Sequence, residues 1–377
     1  MLLFSRVIGQ DSLSYFEKHT KINGYVKFMQ TLSGDVEGNI YDQSLWHNRI
    51  NTTFFNTGKD GGTTLYFELR NRIFYGEAVR LNPDMSTLLD LDGGIVDLSY
   101  VTGEANSFLY STIIDRFWYK GYYKKWEWSI GRQRINWGIN TYWNANDIFN
   151  AFTFTDFDYE ERPGSDAVSI QKYFNNGSDV EVALSINRDT AFVAATKYSW
   201  NYWNYDFQIL GGVYFDDIVL GGGWAGGIKN WGFKGEISYF HNPIQKQSSG
   251  TSLSISGEYL LKNNHFIGLG GLYSSNGVSK GMDVSSSLLA FQTSAKSLMP
   301  TRWSTMTSIG GEINGLTNYT CIIVYMPGVN YVLLMPSITR SVAQNLDWSI
   351  HMINLGGVLN EDLLLSVNGF MRLKWSF

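Results

Sequence analysis

Residues 363–377 read Leu-Leu-Leu-Ser-Val-Asn-Gly-Phe-Met-Arg-Leu-Lys-Trp-Ser-Phe. Apolar side chains occupy alternate positions, and most positions between them are polar. The apolar set is Leu363, Leu365, Val367, Met371, Leu373, Trp375 and Phe377. Because successive side chains of a β-strand point to opposite faces, this period of two predicts a strand with one apolar and one polar face. Soluble strands average about 5–6 residues, whereas a tilted strand that crosses a bilayer needs about 9–11.

The same alternation recurs along almost the whole chain. For example, Val182 and Leu184 alternate with Glu181 and Ser185. The pattern predicts about 18 strands, with ends defined to about 2–4 residues. The predicted strands are 20–31, 45–57, 62–75, 109–122, 126–136, 166–175, 178–188, 191–200, 203–214, 217–228, 231–242, 250–261, 264–275, 302–313, 317–327, 330–341, 344–356 and 362–377.

The lengths of the connections support this strand count. Short turns follow the even-numbered strands, at 57–60, 124–125, 175–178, 229–230 and 262–264. Long connections follow odd-numbered strands, at 32–44, 76–108, 137–165, 243–249 and 276–301. Transmembrane barrels have short periplasmic turns and long extracellular loops, so this segregation is the expected one.

We therefore predict an all-β fold, a transmembrane antiparallel up-and-down β-barrel of about 18 strands whose third extracellular loop folds inward. A β-structure in lipid must close on itself, because lipid satisfies no unpaired strand edge. The barrel domain is predicted to span 20–377, preceded by a periplasmic N-terminal segment at 10–19. Residues 1–9 are predicted to be a residual signal peptide or a disordered stub, since Met1–Gly9 resembles the end of a secretory apolar region.

Composition agrees with a membrane barrel and excludes several other classes. Aromatic residues make up 16% of the chain, and such rings suit a membrane–water interface. A soluble β-propeller can be equally rich in aromatic residues, so composition alone does not distinguish it from a membrane barrel. The mean hydropathy is −0.16 and no apolar run approaches the roughly 20 residues of a spanning helix. The net charge is −5 with scattered basic residues, which argues against nucleic-acid binding.

Two sets of charged residues are candidates for lining the lumen. With the apolar positions turned outward, basic side chains of the first five predicted strands face inward as a pore-lining basic wall. The wall comprises Arg49, Arg70, Arg72, Arg116, Arg132 and Arg134, joined by Lys21, Lys27 and Lys120. In the fifth strand Ile130 has the same parity as Arg132 and Arg134, so a bulge or phase change is needed there.

The third long loop is rich in acids and aromatics. Its predicted constriction residues are Asp147, Asp156, Asp158, Glu160, Glu161 and Arg162, followed by Asp166. Its aromatic residues Trp143, Phe149, Phe152, Phe154 and Phe157 are too apolar for a solvated loop and indicate packing inside the barrel. Acids facing a basic wall across a narrow lumen would produce a transverse field that selects solutes by charge and size. Salt bridges that anchor this loop to Arg132 and Arg134 are an equally good interpretation.

Several local motifs resemble known membrane families. Residues 131–138 (Gly-Arg-Gln-Arg-Ile-Asn-Trp-Gly), followed by Trp143–Asn150, resemble a strand-to-loop segment of Gram-negative porin-like outer-membrane barrels. The chain resembles, more loosely, the 18-stranded substrate-specific and alginate-export porins. The terminal Met371, Leu373, Trp375 and Phe377 resemble the signal that barrel-assembly machinery reads. The resemblance implies a bacterial outer-membrane location and a channel, without naming its solute.

Catalytic and cofactor functions have little support. The histidines lie far apart and lack metal-ligand spacing. No histidine lies near Cys321 in the sequence, so a catalytic Cys–His pair has no support. Residues 90–94 faintly resemble a calcium loop but lack its later acid. The glycine-rich 221–227 segment precedes no helix pattern, so it indicates a bend or close packing of a strand. We therefore predict no enzyme activity, no cofactor and no metal.

The predicted function is passive diffusion of small polar or charged solutes through the barrel. The predicted partners are outer-membrane lipid, the barrel-assembly machinery and those solutes, with a homotrimer or an envelope-complex partner left open. The alternative function is a structural or assembly subunit of an envelope or secretion complex with a closed lumen.

Overall fold

The computed structural model describes residues 15–34, 38–82, 84–90, 92–105, 107–151, 164–279, 293–359 and 362–377. Within them the chain forms one sheet of 19 strands and three short α-helices. The strands are β1 (Thr20–Gly34), β2 (Ile40–Thr57), β3 (Gly61–Tyr75), β4 (Ser99–Ala105), β5 (Phe108–Tyr123), β6 (Trp126–Gln133), β7 (Ser165–Tyr173), β8 (Asp179–Ile186), β9 (Phe192–Tyr202), β10 (Tyr205–Tyr214), β11 (Asp217–Ile228), β12 (Trp231–His241), β13 (Gly250–Leu260), β14 (Phe266–Ser274), β15 (Trp303–Asn314), β16 (Thr317–Met326), β17 (Tyr331–Ala343), β18 (Leu346–Leu359) and β19 (Asp362–Ser376). The helices are α1 (Tyr15–His19), α2 (Glu77–Leu81) and α3 (Met85–Leu89).

The sheet is closed into a barrel. β19 pairs antiparallel with β1, from the Tyr25–Ser376 pair to the Gly34–Val367 pair. At the end of this seam, the backbones of Gly24 and Phe377 exchange hydrogen bonds of 2.9 and 3.0 Å. Eighteen of the strands form the closed barrel, which confirms the predicted all-β antiparallel barrel of about 18 strands. Closure gives each of these eighteen strands a neighbour on both sides, as lipid requires.

β4 is the strand that the sequence pattern did not predict. It pairs with residues 110–113 of β5, on the edge that β6 occupies further along, opposite Phe117–Tyr123. Because β6 and β7 have only 8 and 9 residues, β4 extends the wall above them. Its ladder is too short to give a clear alternation within the long 76–108 connection.

Exposure alternates along the strands as the period of two predicts. On β8, Val182 and Leu184 are 50% and 42% exposed, whereas Ala183 between them is 1% exposed. On β15, Ser304 and Ser308 are buried and point to the inside. The exposed apolar set therefore forms an outer surface suited to lipid, and polar, small or tightly packed apolar residues face the interior.

The two ends of the barrel differ in their connections. At one end the turns are tight: Trp203 and Asn204 join β9 to β10 with φ values of 51° and 61°, the left-handed pair that a two-residue hairpin of type I′ needs. The opposite end carries the long connections, including α2, α3 and β4. None of the helices in the described residues is long and apolar enough to cross a membrane.

The C-terminal residues of the proposed assembly signal lie on the outer surface. Met371, Leu373, Trp375 and Phe377 are 49%, 43%, 49% and 45% exposed. Their even-numbered neighbours Arg372 and Lys374 have the opposite parity and turn inward. Their recognition by assembly machinery stays a prediction.

Candidate functional site

A charged wall forms the inner face of the neighbouring strands β19, β1, β2, β3 and β5. Its cationic side chains are Lys27, Arg49, Arg70, Arg72, Arg116, Arg372 and Lys374. The sheet register places them side by side, since Lys27 lies opposite Lys374 and Arg49 lies opposite Arg70. The residues that alternate with them, such as Val26, Ile50 and Trp375, face outward.

Carboxylates interrupt this wall at two positions. Arg49 donates a hydrogen bond to Glu68 at 2.6 Å, and Arg70 donates one to Asp115 at 2.7 Å. Asp115 occupies an irregularity where β3 and β5 shift register. Each buried guanidinium therefore has a nearby acid, as burial of charge requires. Among the described residues of this wall, the seven cations named above still outnumber the two acids.

The wall also contains aromatic and hydroxyl groups. Lys374 Nζ lies 4.6 Å from the centre of the Tyr25 ring, a distance suited to a cation–π interaction. Arg72 donates a hydrogen bond of 3.3 Å to Ser111, and Arg372 donates one of 3.1 Å to Ser349. Arg372 and Lys374 were not among the predicted wall residues. Both residues lie at inward positions of the C-terminal strand, and closure of the barrel brings that strand beside β1. These two features could have added them to the predicted wall.

Arg132 occupies a different environment from the other predicted wall residues. Its guanidinium donates two hydrogen bonds to Asp166, at 2.8 and 3.0 Å, and another to Asp92 at 2.5 Å. The phase change predicted for the fifth strand occurs at Gly131, whose backbone φ is +114°. Arg132 thus connects the strand to the connection that precedes β4. Arg134 lies just beyond the end of β6 and is exposed.

The described part of the third long connection, residues 134–151, is called the inner segment here. Its hydrogen-bond partners outside the segment lie on β7, β8, β10, β12, β13 and β15 and have inward parity. Gln208 donates to the carbonyl of Trp137 at 2.6 Å, and Ser254 donates to that of Trp143 at 2.7 Å. Further along, the hydroxyls of Tyr142 and Ser308 lie 2.6 Å apart. The inner segment therefore runs across the inside of these strands.

Glu236 is the central contact of the inner segment. This residue of β12 is fully buried, and its carboxylate accepts hydrogen bonds from three backbone N–H groups. Asn140 and Asn146 donate at 2.7 and 2.8 Å, and Ile139 is the third donor. Several N–H donors around one carboxylate offset the cost of its burial. Glu236 was not among the predicted site residues. An acidic residue at an inward-facing position of a predicted strand was the signal that could have identified it.

Glycines of β11 make room for this contact. A Cβ atom at Gly221 would lie 2.7 Å from Oδ1 of Asn146, and one at Gly223 would lie 3.1 Å from its Nδ2. Asn146 itself is fully buried and accepts a hydrogen bond from Ser238 at 2.8 Å. The glycine-rich 221–227 segment thus permits close packing of the inner segment on the strand, which is one of the two roles predicted for it.

Apolar packing fills the same side of the interior. Trp137 and Phe149 pack at right angles, with ring centres 4.9 Å apart, in a buried cluster with Leu210 and Phe240. A second cluster surrounds Trp143 and contains side chains from β14–β17 and from the 293–302 region. Its members include Ala145, Leu272, Leu298, Met299, Met306, Val324, Tyr331 and Leu333. One side of the interior is therefore filled by packed side chains, whereas the other carries the charged wall.

A second connection reinforces the packed side. Lys296, in the connection before β15, lies 2.5 Å from Asp217 on β11. Asp217 also accepts a hydrogen bond of 2.8 Å from Asn242, so its carboxylate joins two connections. Ser252 on β13 donates to the carbonyl of Lys296 at 3.1 Å.

A cavity of about 700 Å³ lies at the end with the long connections. It is called the vestibule here. Arg70, Arg72 and Asp115 of the charged wall line one side, and Phe149 and Tyr214 line another. The vestibule thus lies between the charged wall and the packed side.

The predicted constriction residues are only partly within the described structure. Asp147 is 1% exposed and lies in the inner segment. The other five, Asp156, Asp158, Glu160, Glu161 and Arg162, lie outside the described residues. Trp143 and Phe149 are buried, as their apolar character indicated. Among described residues, no group of three His, Cys, Asp or Glu side chains could hold a metal ion.

Comparison with known proteins identifies the fold. No protein-family model matches the chain, and no curated protein matches it by sequence. Among solved structures, OccAB3 of Acinetobacter baumannii has a TM-score of 0.61 at 10% identity, with 95% of this chain and 99% of that chain covered. OccAB4 of the same organism has a TM-score of 0.59 at 9% identity, with 96% and 99% covered. OpdQ of Pseudomonas aeruginosa has a TM-score of 0.59 at 9% identity, with 95% and 98% covered.

These similarities extend over nearly the whole length of each chain, and at such low identity they establish the fold. The predicted resemblance to an 18-stranded porin-like barrel is confirmed at that level. The chain shares its architecture with these Acinetobacter and Pseudomonas proteins, and as a closed barrel with a lipid-facing surface it is a protein of the bacterial outer membrane.

Proposed function

We propose that the chain is a porin through which small polar or charged solutes diffuse passively along the charged wall. The observation that carries this proposal is the division of the interior. β7–β17 contribute the apolar clusters and the hydrogen-bond partners that hold the inner segment, whereas β19 to β5 contribute the cationic wall. A charged or polar solute would meet the densest set of cationic side chains along the second side.

The proposed mechanism is selection by charge and size, without chemistry. The positive wall attracts anions and orients dipolar solutes, and the inner segment limits the width of the passage. We further propose that the acids at 156–161 face this wall and complete a constriction, which is the arrangement expected from the sequence. A low-dielectric surrounding strengthens such fields compared with bulk water.

Substitution of a wall residue tests the proposal. Arg72→Gln removes one positive charge at the vestibule, and we expect the reversal potential in a salt gradient to shift toward cation preference. The shift should be larger near 0.01 M salt, where the Debye length is about 30 Å, than near 1 M, where it is about 3 Å. Arg80→Gln is the matched control, because Arg80 lies on α2 in an exposed pair with Glu77. Equal reversal potentials for the two variants would contradict the proposed role of the wall.

A further inference from the structure

The barrel wall has a weak point above the short strands β6 and β7. β6 ends at Gln133 and β7 begins at Ser165, whereas β5 continues upward to Phe108 on one side of them. Residues 92–98, called the rim segment here, occupy this level. An isolated bridge joins Gly94 to Asn187, just beyond β8. The wall at this level therefore consists of an irregular segment rather than a continuous strand ladder.

Few backbone hydrogen bonds attach the rim segment to its neighbours. Arg188 donates to the carbonyl of Gly93 at 3.1 Å on the β8 side. Ile114 donates to the carbonyl of Leu98 at 3.0 Å on the β5 side. An irregular segment held at its two ends can move at a lower free-energy cost than a strand with a full ladder.

Arg132 is the main side-chain attachment of the rim segment. It donates to Asp92 at 2.5 Å and to the carbonyl of Val96 at 2.6 Å, while Asp166 on β7 accepts two further bonds. Asp166 in turn accepts a hydrogen bond from the backbone of Val96 at 3.2 Å. The Arg132–Asp166 pair thus fastens the rim segment to both short strands.

The contacts of Arg132 with Asp92 and Asp166 lie between two cavities. The vestibule lies on the inner side, and an apolar crevice of about 500 Å³ lies on the outer side. Arg132, Asp166 and Ile186 line both of them. Only one layer of residues therefore separates the vestibule from the crevice.

The crevice belongs to the lipid-facing surface. Its lining residues include Ile95, Val96, Phe117, Ile130, Val168 and Leu184, which are 42–55% exposed. The strand residues among them have the outward parity of their strands. The crevice is therefore continuous with the surface that faces the acyl chains of the membrane, and its lining suits hydrocarbon.

We propose that the rim segment is a lateral gate between the vestibule and the membrane, closed by Arg132, Asp92 and Asp166. The molecules that it passes are amphipathic: the polar part stays among the charges of the vestibule while the hydrocarbon part leaves through the crevice into lipid. This route is additional to axial diffusion of polar solutes. Displacement of the rim segment would join the two cavities without breaking the regular strand ladders.

The test measures access from the bilayer to the vestibule. Ile113 lines the vestibule opposite Arg70 in the register, so Ile113→Cys in a Cys321→Ser background gives one reporter thiol. The purified full chain in lipid vesicles is treated with a long-chain N-alkyl maleimide that stays in the bilayer, or with a water-soluble maleimide. Asp166→Asn preserves the side-chain volume while removing the charge that binds Arg132.

We expect Asp166→Asn to raise the rate of labelling by the bilayer-confined reagent by roughly tenfold, the effect of weakening one charge-assisted hydrogen bond. The rate with the water-soluble reagent should stay the same. Arg132→Lys, which loses the two-point contact with Asp166, should act in the same direction. Asp97→Asn is the matched control in the same segment, because the Asp97–Arg188 ion pair is 3.5 Å long and exposed to solvent, and Asp97 otherwise accepts hydrogen bonds from Ser99.

Two results would overturn the gate. Equal bilayer-confined labelling rates for Asp166→Asn and Asp97→Asn would mean that the Arg132 contacts do not control access. A parallel rise with the water-soluble reagent would mean general loosening of the barrel rather than a lateral opening. The readout is independent of ion flow, so it separates the gate from the axial channel.

Discussion

Glu236→Gln tests how the inner segment is held in the barrel. The carboxylate accepts hydrogen bonds from the backbone N–H groups of Ile139 and Asn140 at one oxygen and from that of Asn146 at the other. Glutamine has nearly the same shape, but its amide nitrogen cannot accept a hydrogen bond. The substitution therefore removes the charge and leaves at least one buried donor without an acceptor.

The magnitude follows from these contacts. Hydrogen bonds to a charged group contribute about 1.5–3 kcal/mol each, and an unsatisfied buried donor costs about 1–3 kcal/mol. We expect the docked position of the inner segment to be destabilised by about 2–4 kcal/mol, since Glu236 is fully buried and unscreened by solvent. Each 1.4 kcal/mol is a factor of about ten, so the docked-to-released ratio should fall by roughly 30- to 1000-fold.

Single-channel recording in planar bilayers measures this change. We expect Glu236→Gln to increase the mean conductance and the frequency of transitions between levels, because the inner segment would leave its position more often. Glu312→Gln is the control, since Glu312 lies at the end of β15 in an exposed contact with Asn264. Conductance and transition frequency equal to those of the wild type would refute the inference that Glu236 holds the inner segment.

Two further predictions concern the interior. Gly221→Ala places a methyl group against Asn146, so it should raise the conductance as Glu236→Gln does, by a smaller factor. Gly222→Ala is the control and should conduct like the wild type, because the nearest atom to its added Cβ lies 3.4 Å away. Equal conductance of the two variants would contradict the packing argument. Asp158→Asn with Glu160→Gln should shift the reversal potential in asymmetric salt toward anions, and an unchanged potential would remove these acids from the proposed constriction.

The strands could be predicted because each one repeats the same physical contrast between lipid and interior. Val182 and Leu184 face lipid and Ala183 faces inward, so the local pattern determines the face of a residue wherever the strand is regular. β4 could not be found in this way. It pairs with only a few residues of β5, and its position depends on the shortness of β6 and β7.

The interior was less accessible to sequence reasoning. The apolar character of Trp143 and Phe149 correctly indicated burial, but the pattern did not reveal their partners. Glu236 lies about 90 residues from Asn146, and only the three-dimensional closure of the barrel brings the two together. The environment of Arg132 was hidden for the same reason, because Asp92 comes from a connection with no regular period.

The most direct test of the channel is conductance of the purified, full-length protein in a planar bilayer. Our account predicts discrete, ion-conducting steps, because solutes pass along a charged wall inside a closed barrel. A correctly inserted barrel that gives no conductance steps at any salt concentration would contradict the account and would favour a structural subunit with a closed lumen.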